Sequence, residues 1–260
     1  MDGAELDVVV EGENRPDSLT VCTTHPIESM HQAVPTIVSI TGARVVSVNP
    51  RGVGGSSPPR WTGDSTLETL ADDLDAVRRA LGVDQWVIWG MSGGSMVAQV
   101  YAGRHPRALQ GLILDSAGPC FASTLRDPDC VMSPASLALQ EVLATHGLTP
   151  DADVSVVAGD PTWEELPGTG WALRLGSGPA LPILLTFDAR PWLGTIAVPT
   201  LVLGGAEDRI APPAQLRALH KAIPGSDLVL IEGAGHVPLG EGRPEVAAAV
   251  RRFLDSRVKR

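Results

Sequence analysis

Hydrophobic and polar positions along this chain follow two alternating patterns. Short runs of β-branched and aliphatic residues occur at 6–10, 18–24, 44–48, 85–90, 109–115, 200–203 and 227–231. Their length and composition predict strands. Between the third and fourth runs, Leu67, Leu70, Leu74, Val77 and Leu81 recur at spacings of three and four. That is the apolar stripe of an amphipathic helix, with Asp64, Ser65 or Thr66 available to cap it and Gly82 to stop it. Further helices are expected from Gly94 to about His105, over 213–223 and over 244–257. Residues 28–41 have a helical composition, but Pro35 limits them to two short pieces. Strands alternating with helices of this length require crossover connections. The expected class is therefore α/β, a three-layer, mostly parallel sheet.

The alternation stops between residues 119 and 196. Prolines at 128, 134, 150, 161, 167, 179, 182 and 191 break up that stretch, and Trp163, Trp171 and Trp192 add large apolar surface. A segment of this length without regular alternation usually serves as a functional lid. The expected organisation is thus a core of residues 1–118 and 197–260 with a small inserted cap at 119–196.

Composition narrows the partners. The 260 residues suffice for one large core, and 43% hydrophobic with 19% charged residues is ordinary for a globular protein. A net charge of -10, scattered along the chain, argues against nucleic acid or an anionic membrane as partner. No apolar run approaches the roughly 18 residues of a spanning helix. The acidic start at residues 1–5 lacks the basic-then-apolar layout of a signal peptide. Cys22, Cys120 and Cys130 have no metal-ligand spacing. Reduced thiols and a cytoplasmic location are expected, with a Cys120–Cys130 bridge the less favoured arrangement. A small-molecule substrate is the expected partner, and the sequence leaves the oligomeric state open.

Candidate chemistry centres on Gly90-Met91-Ser92-Gly93-Gly94, where a strand-like run passes through Gly-x-Ser-x-Gly into a helix-like stretch. This is the sequence form of a nucleophile elbow, which lifts a serine hydroxyl above a sheet. Glycines at 90 and 94 keep Cβ atoms out of a turn where strand and helix nearly touch. A serine hydroxyl needs a base within hydrogen-bond reach, and the base needs an acid to fix its tautomer. His236 lies just past the last strand and Asp208 just past the preceding one, where sites assemble in parallel sheets. Glu207 and Asp115 compete with Asp208 for the acid role, and Ser95 is the alternative nucleophile. His25 and His31 are expected to be structural or pocket-lining, His105 and His220 to sit near helix ends, and His146 is unassigned. The glycines at 52, 54 and 55 suggest a phosphate loop, but Pro58-Pro59 follows where a helix would be needed. No cofactor and no metal are expected.

In this respect the chain resembles the α/β-hydrolase fold family. Asn49-Pro50-Arg51-Gly52-Val53-Gly54-Gly55-Ser56 is similar to the family's Asp-x-Arg-Gly-x-Gly-x-Ser loop. The elbow, the Glu207-Asp208 loop and Gly235-His236-Val237-Pro238 follow in the family's order. The resemblance implies Ser92 as nucleophile, His236 as general base and Asp208 as its orienting acid. The Arg-Gly loop and Trp89 look most like the proline iminopeptidase and methylesterase branches. Two positions depart from the pattern. His25-Pro26-Ile27 stands where the family has His-Gly-x, which makes the Ile27 and Gly93 amides the implied oxyanion donors, with Pro26 able to redirect the loop. Asn49 replaces an aspartate and is expected to be structural. The implied activity is a serine hydrolase cleaving a small or medium hydrophobic carboxylic ester, lactone or thioester. A proline iminopeptidase with a cap glutamate such as Glu164 or Glu165 on the substrate amine is the alternative. A lyase or cyclase and a non-catalytic binding protein on the same fold are two more.

Overall fold

The computed structural model describes residues 3–13, 18–59, 66–147, 161–164, 184 and 186–258. Among these, seven strands form one sheet: β1 (Val8–Glu11), β2 (Thr20–Thr24), β3 (Arg44–Val48), β4 (Trp86–Met91), β5 (Leu109–Asp115), β6 (Thr200–Gly205) and β7 (Asp227–Ile231). Their order is β1-β3-β2-β4-β5-β6-β7, with β1 antiparallel to β3 and all other neighbours parallel. The chain steps from β2 outward to β3 and then back across to β4. This reversal places a crevice between the carboxyl ends of β2 and β4, the usual position of a binding site in such a sheet.

Strand side chains alternate between two apolar layers, as the two-residue period demands. Trp86 and Ile88 of β4 pack with α2 (Leu67–Ala80), α3 (Gly93–Arg104) and, farther along, α8 (Pro213–Ala222). Val87, Trp89 and Met91 face the opposite layer, formed by α1 (Val34–Thr41) and α9 (Pro244–Arg257). Trp86, Trp89, Ile88 and Leu112 are fully buried, and burying one such side chain is worth about 1.5–3 kcal/mol. The Thr66 hydroxyl caps α2 by accepting the Thr69 N–H at 3.1 Å. Asp64 and Ser65 lie outside the described residues. Residues 28–41 do divide: a 3-10 turn covers His31–Ala33 and α1 follows, with Pro35 in its first turn, where a backbone N–H has no helical partner to lose.

Within residues 119–196, two described parts of the chain bond to each other. The Phe121 N–H donates to the Phe187 carbonyl at 3.2 Å and the Ala189 N–H to the Pro119 carbonyl at 2.9 Å. Described within this stretch are α4 (Phe121–Thr124), α5 (Ser133–Thr145), α6 (Pro161–Glu164) and α7 (Arg190–Leu193). Trp192 packs onto α3, its indole N–H donating to the Gln99 carbonyl at 2.8 Å. Trp171, Glu165 and the side chains of Trp163 and Glu164 lie outside the described residues. Cys22, Cys120 and Cys130 are buried free thiols. Among the described residues, no helix is long and apolar enough to cross a membrane.

Candidate active site

Sheet register aligns the ends of β4 and β5 and carries those of β6 and β7 two residues farther along the same edge. Met91 of β4 pairs with Asp115 of β5, Asp115 with Leu203 of β6, and Gly205 of β6 with Ile231 of β7. The loops beyond them open on a common edge. Ser92 is the first residue past β4, with φ 51° and ψ -120°, and α3 begins at Gly93. The two flanking glycines are required by contact: a Cβ on Gly90 would overlap the Gly94 carbonyl, and one on Gly94 the Thr24 carbonyl. Ser95 sits inside the helix, its hydroxyl 2.7 Å from the Gly90 carbonyl and 2.8 Å from that of Asp115. Its hydroxyl fastens the elbow to the sheet.

His236 meets Ser92 from the loop after β7. Its Nε2 lies 2.9 Å from Ser92 Oγ, and its Nδ1 lies 2.8 Å from Asp208 Oδ2. Asp208 is 2% exposed, and its Oδ1 accepts the N–H groups of Ile210 and Ala211 at 2.7 and 2.9 Å. These bonds orient the carboxylate so that Oδ2 faces the ring. A carboxylate can only accept, so the ring proton sits on Nδ1 and Nε2 presents its lone pair to the serine. Glu207 points to solvent. Asp115 is fully buried, which raises its carboxyl to about 7, and the Ser116 hydroxyl donates to its Oδ1 at 2.8 Å.

Above these groups is a cavity of about 340 Å³. Met30, Met91, Met96 and Met132 all line it, which is every methionine of the chain apart from Met1. Phe121, Leu184 and Ile210 complete an apolar wall, and Glu28 brings a carboxylate to the lining. The sequence contained no spacing that would have grouped all four methionines, because Met30 and Met132 are remote from the pair that flanks Ser92.

The His25-Pro26-Ile27 loop forms the facing side. Pro26 is buried against Gly93, and the Ile27 N–H donates to His25 Nδ1 at 3.5 Å, a long bond. Burial lowers the His25 imidazole to about 4, with Glu28 opposing the shift and His236 adding to it. The ring is therefore neutral near pH 7, and accepting at Nδ1 leaves its proton on Nε2. Gly93 opens α3, so its N–H has no partner within the helix.

The remaining polar candidates have structural partners. His31 Nδ1 is 2.9 Å from Ser47 Oγ, His105 Nε2 2.8 Å from Asp72 Oδ1, and His220 Nδ1 2.8 Å from Ser226 Oγ. His146 follows α5 and is exposed. Asn49 donates to Asp7 Oδ2 at 2.9 Å, and the same oxygen accepts the Gly55 N–H at 2.9 Å. Asp7 thus supplies from outside the loop the carboxylate that Asn49 lacks. The glycine-rich turn closes on this internal carboxylate.

A mostly parallel sheet carrying a serine, a histidine and a carboxylate in hydrogen-bonded series past its strand ends is the architecture of the α/β hydrolases. The family model of the alpha/beta hydrolase fold matches residues 28–165 and 173–242, and the chain belongs to that family. It is 29% identical over 227 residues to the AB hydrolase superfamily protein YisY of Bacillus subtilis, covering 83% of this chain and 82% of that one. It is 32% identical over 184 residues to a pimeloyl-[acyl-carrier protein] methyl ester esterase of Neisseria meningitidis, 65% of this chain and 68% of the relative. The crystal structure of the enol-lactonase from Burkholderia xenovorans LB400 shares the fold, with TM-score 0.68, 21% identity and 98% of each chain covered.

Proposed function

We propose that this chain is a cofactor-free serine hydrolase cleaving a small or medium hydrophobic carboxylic ester, lactone or thioester through an acyl-enzyme on Ser92. The reading is carried by the hydrogen-bonded series Ser92–His236–Asp208 at the base of an apolar cavity. Ser92 Oγ attacks the carbonyl carbon while His236 Nε2 takes its proton, and Asp208 stabilises the imidazolium. The oxyanion forms toward the amides of Gly93 and Ile27. The long Ile27 bond to His25 opens as the new acceptor arrives, and the two donors together stabilise the transition state by several kcal/mol. The tetrahedral intermediate collapses as His236 returns the proton to the departing alcohol or thiol. Water, deprotonated by the same ring, then releases the acid.

Residues 119–196 serve as the cap in this reading, since Phe121, Met132 and Leu184 reach the cavity from that segment. Methionine-rich walls adapt to several chain shapes, which suits flexible acyl groups. The esterase and lactonase among the similar proteins support the same class. The test is turnover of p-nitrophenyl esters of increasing acyl length beside proline p-nitroanilide, with Ser92→Ala as control. Ester turnover that disappears in the variant is expected. Turnover of the anilide alone would move the assignment to an aminopeptidase, and ester turnover surviving Ser92→Ala would overturn the acyl-enzyme and leave His236 as the base that activates water directly.

A further inference from the structure

Three non-glycine residues among those described have positive φ: Ser92 (51°), Ser116 (56°) and Val237 (55°). All three line the same cavity. A β-branched residue in this region is a genuine outlier, and such strain persists only where the surroundings over-determine it. The elbow accounts for Ser92. The other two are bonded to each other: the Val237 N–H donates to Ser116 Oγ at 3.1 Å. The Ser116 hydroxyl spends its own proton on Asp115 Oδ1 at 2.8 Å, which leaves its lone pairs for Val237. Asp115 and Ser116 are buried, Val237 is half-buried, and the Ser116 N–H is fixed to the Leu203 carbonyl at 2.8 Å. At the other end, the Asp115 carbonyl accepts the Ser92 N–H at 2.8 Å.

We propose that Ser116, oriented by the Asp115 side chain, is a positioning residue that holds Val237 in its left-handed conformation and thereby sets the His236 ring against Ser92. This rests on the serine-hydrolase reading above. Both partners of the proton transfer are referenced to one dipeptide at the end of β5, Ser92 through the Asp115 carbonyl and His236 through the Ser116 hydroxyl. A misplacement of about 1 Å between such groups can cost about 10²-fold in rate, so the brace is worth its strain.

Ser116→Ala and Ser116→Gly separate this role from a structural one. Glycine tolerates positive φ, so Ser116→Gly relieves local strain while removing the hydroxyl. Both variants should lose about tenfold or more in kcat toward the best p-nitrophenyl ester, with KM unchanged and the acidic limb of the pH–rate profile, which reports His236, displaced. Ser116→Gly should keep the wild-type Tm. Ser226→Ala, which removes another hydrogen-bonded buried serine hydroxyl far from the cavity, should leave kcat unchanged. Hydrogen exchange gives a readout independent of turnover: the Val237 amide should be protected in the wild type and exchange at least tenfold faster in Ser116→Ala. Wild-type kcat and an unmoved pH profile in both Ser116 variants would overturn the proposal, as would an unprotected Val237 amide in the wild type. A wild type that labels with a fluorophosphonate but not at Ser92 would instead overturn the serine-hydrolase reading, and the Val237 exchange rate then judges the brace on its own.

Discussion

The two sides of the cavity are built differently. On the base side, the loop after β7 is tied at nearly every residue. The Glu207 N–H donates to the Ala234 carbonyl at 3.0 Å, the Gly235 N–H to Glu241 Oε1 at 2.8 Å, and the Arg243 guanidinium to the Gly233 carbonyl. His236 and Val237 add their bonds to Asp208 and Ser116. On the facing side, Pro26 has no N–H to give, and the Ile27 N–H has its 3.5 Å bond to His25. In the proposed mechanism proton transfer between Ser92 and His236 recurs in both half-reactions and tolerates little misplacement, which a geometry fixed in advance would serve. In that mechanism the Ile27 N–H turns from His25 to the arriving oxyanion, and a long bond opens more easily than a short one. One side is preorganised and the other adjustable.

Removing a group from the rigid side should have the largest effect. Ser92→Ala or His236→Ala is expected to lower kcat by up to about 10⁶-fold, and Asp208→Asn by about 10⁴-fold because the wrong tautomer then faces Ser92. Stopped-flow or endpoint assays on p-nitrophenyl esters read these losses directly. An Asp208→Asn variant with near-wild-type kcat would move the orienting role elsewhere. On the adjustable side, Ile27→Pro deletes one N–H and should reduce kcat by about 10²–10³-fold with KM held, the range for one oxyanion donor. An unchanged kcat would assign the second donor to another group, such as His25, which lines the same cavity.

The rigid side was largely legible in the sequence, and the adjustable side was not. Strands 44–48, 109–115 and 227–231 and the final helix match the structure end to end, because each is a clean run bounded by Gly, Pro or polar residues. Ser92, Asp208 and His236 follow strand ends, and strand ends in a parallel sheet converge, so spacing along the chain translated into proximity. Asp115 stood among the acid candidates because it also ends a strand. What the pattern could not show is that its side chain turns to Ser116, since that depends on two left-handed residues with no glycine to mark them. The methionine wall was largely invisible: Met91 and Met96 flank Ser92, but Met30 and Met132 come from remote parts of the chain and meet them only in the folded cavity. The path of His25-Pro26-Ile27 depended on packing against Gly93, a contact remote in sequence.

The smallest effect distinguishes the two sides by their titration. Burial raises Asp115 to about 7, so between pH 5 and 7 the native protein holds a proton there that the unfolded chain has released. Stability from this group is fullest at low pH and falls as pH rises toward 7. Burial lowers His25 to about 4, so in the same window the unfolded chain takes up a proton that the native ring refuses. Stability from His25 is fullest above the unfolded value of about 6.5 and falls as pH drops toward 4. Each contribution changes by about 2 kcal/mol between pH 5 and 7, with opposite sign, and the two nearly cancel in the wild type. Asp115→Asn keeps an acceptor for the Ser116 hydroxyl and removes the first slope, so urea unfolding of this variant should become more stable by about 2 kcal/mol from pH 5 to pH 7 relative to wild type. His25→Asn should show the reverse, with relative stability highest at pH 5. Parallel curves for either variant and the wild type would mean that the group titrates alike in the folded and unfolded chain. Burial on that side of the cavity would then carry no electrostatic penalty, and the contrast between the two sides would rest on hydrogen bonding alone.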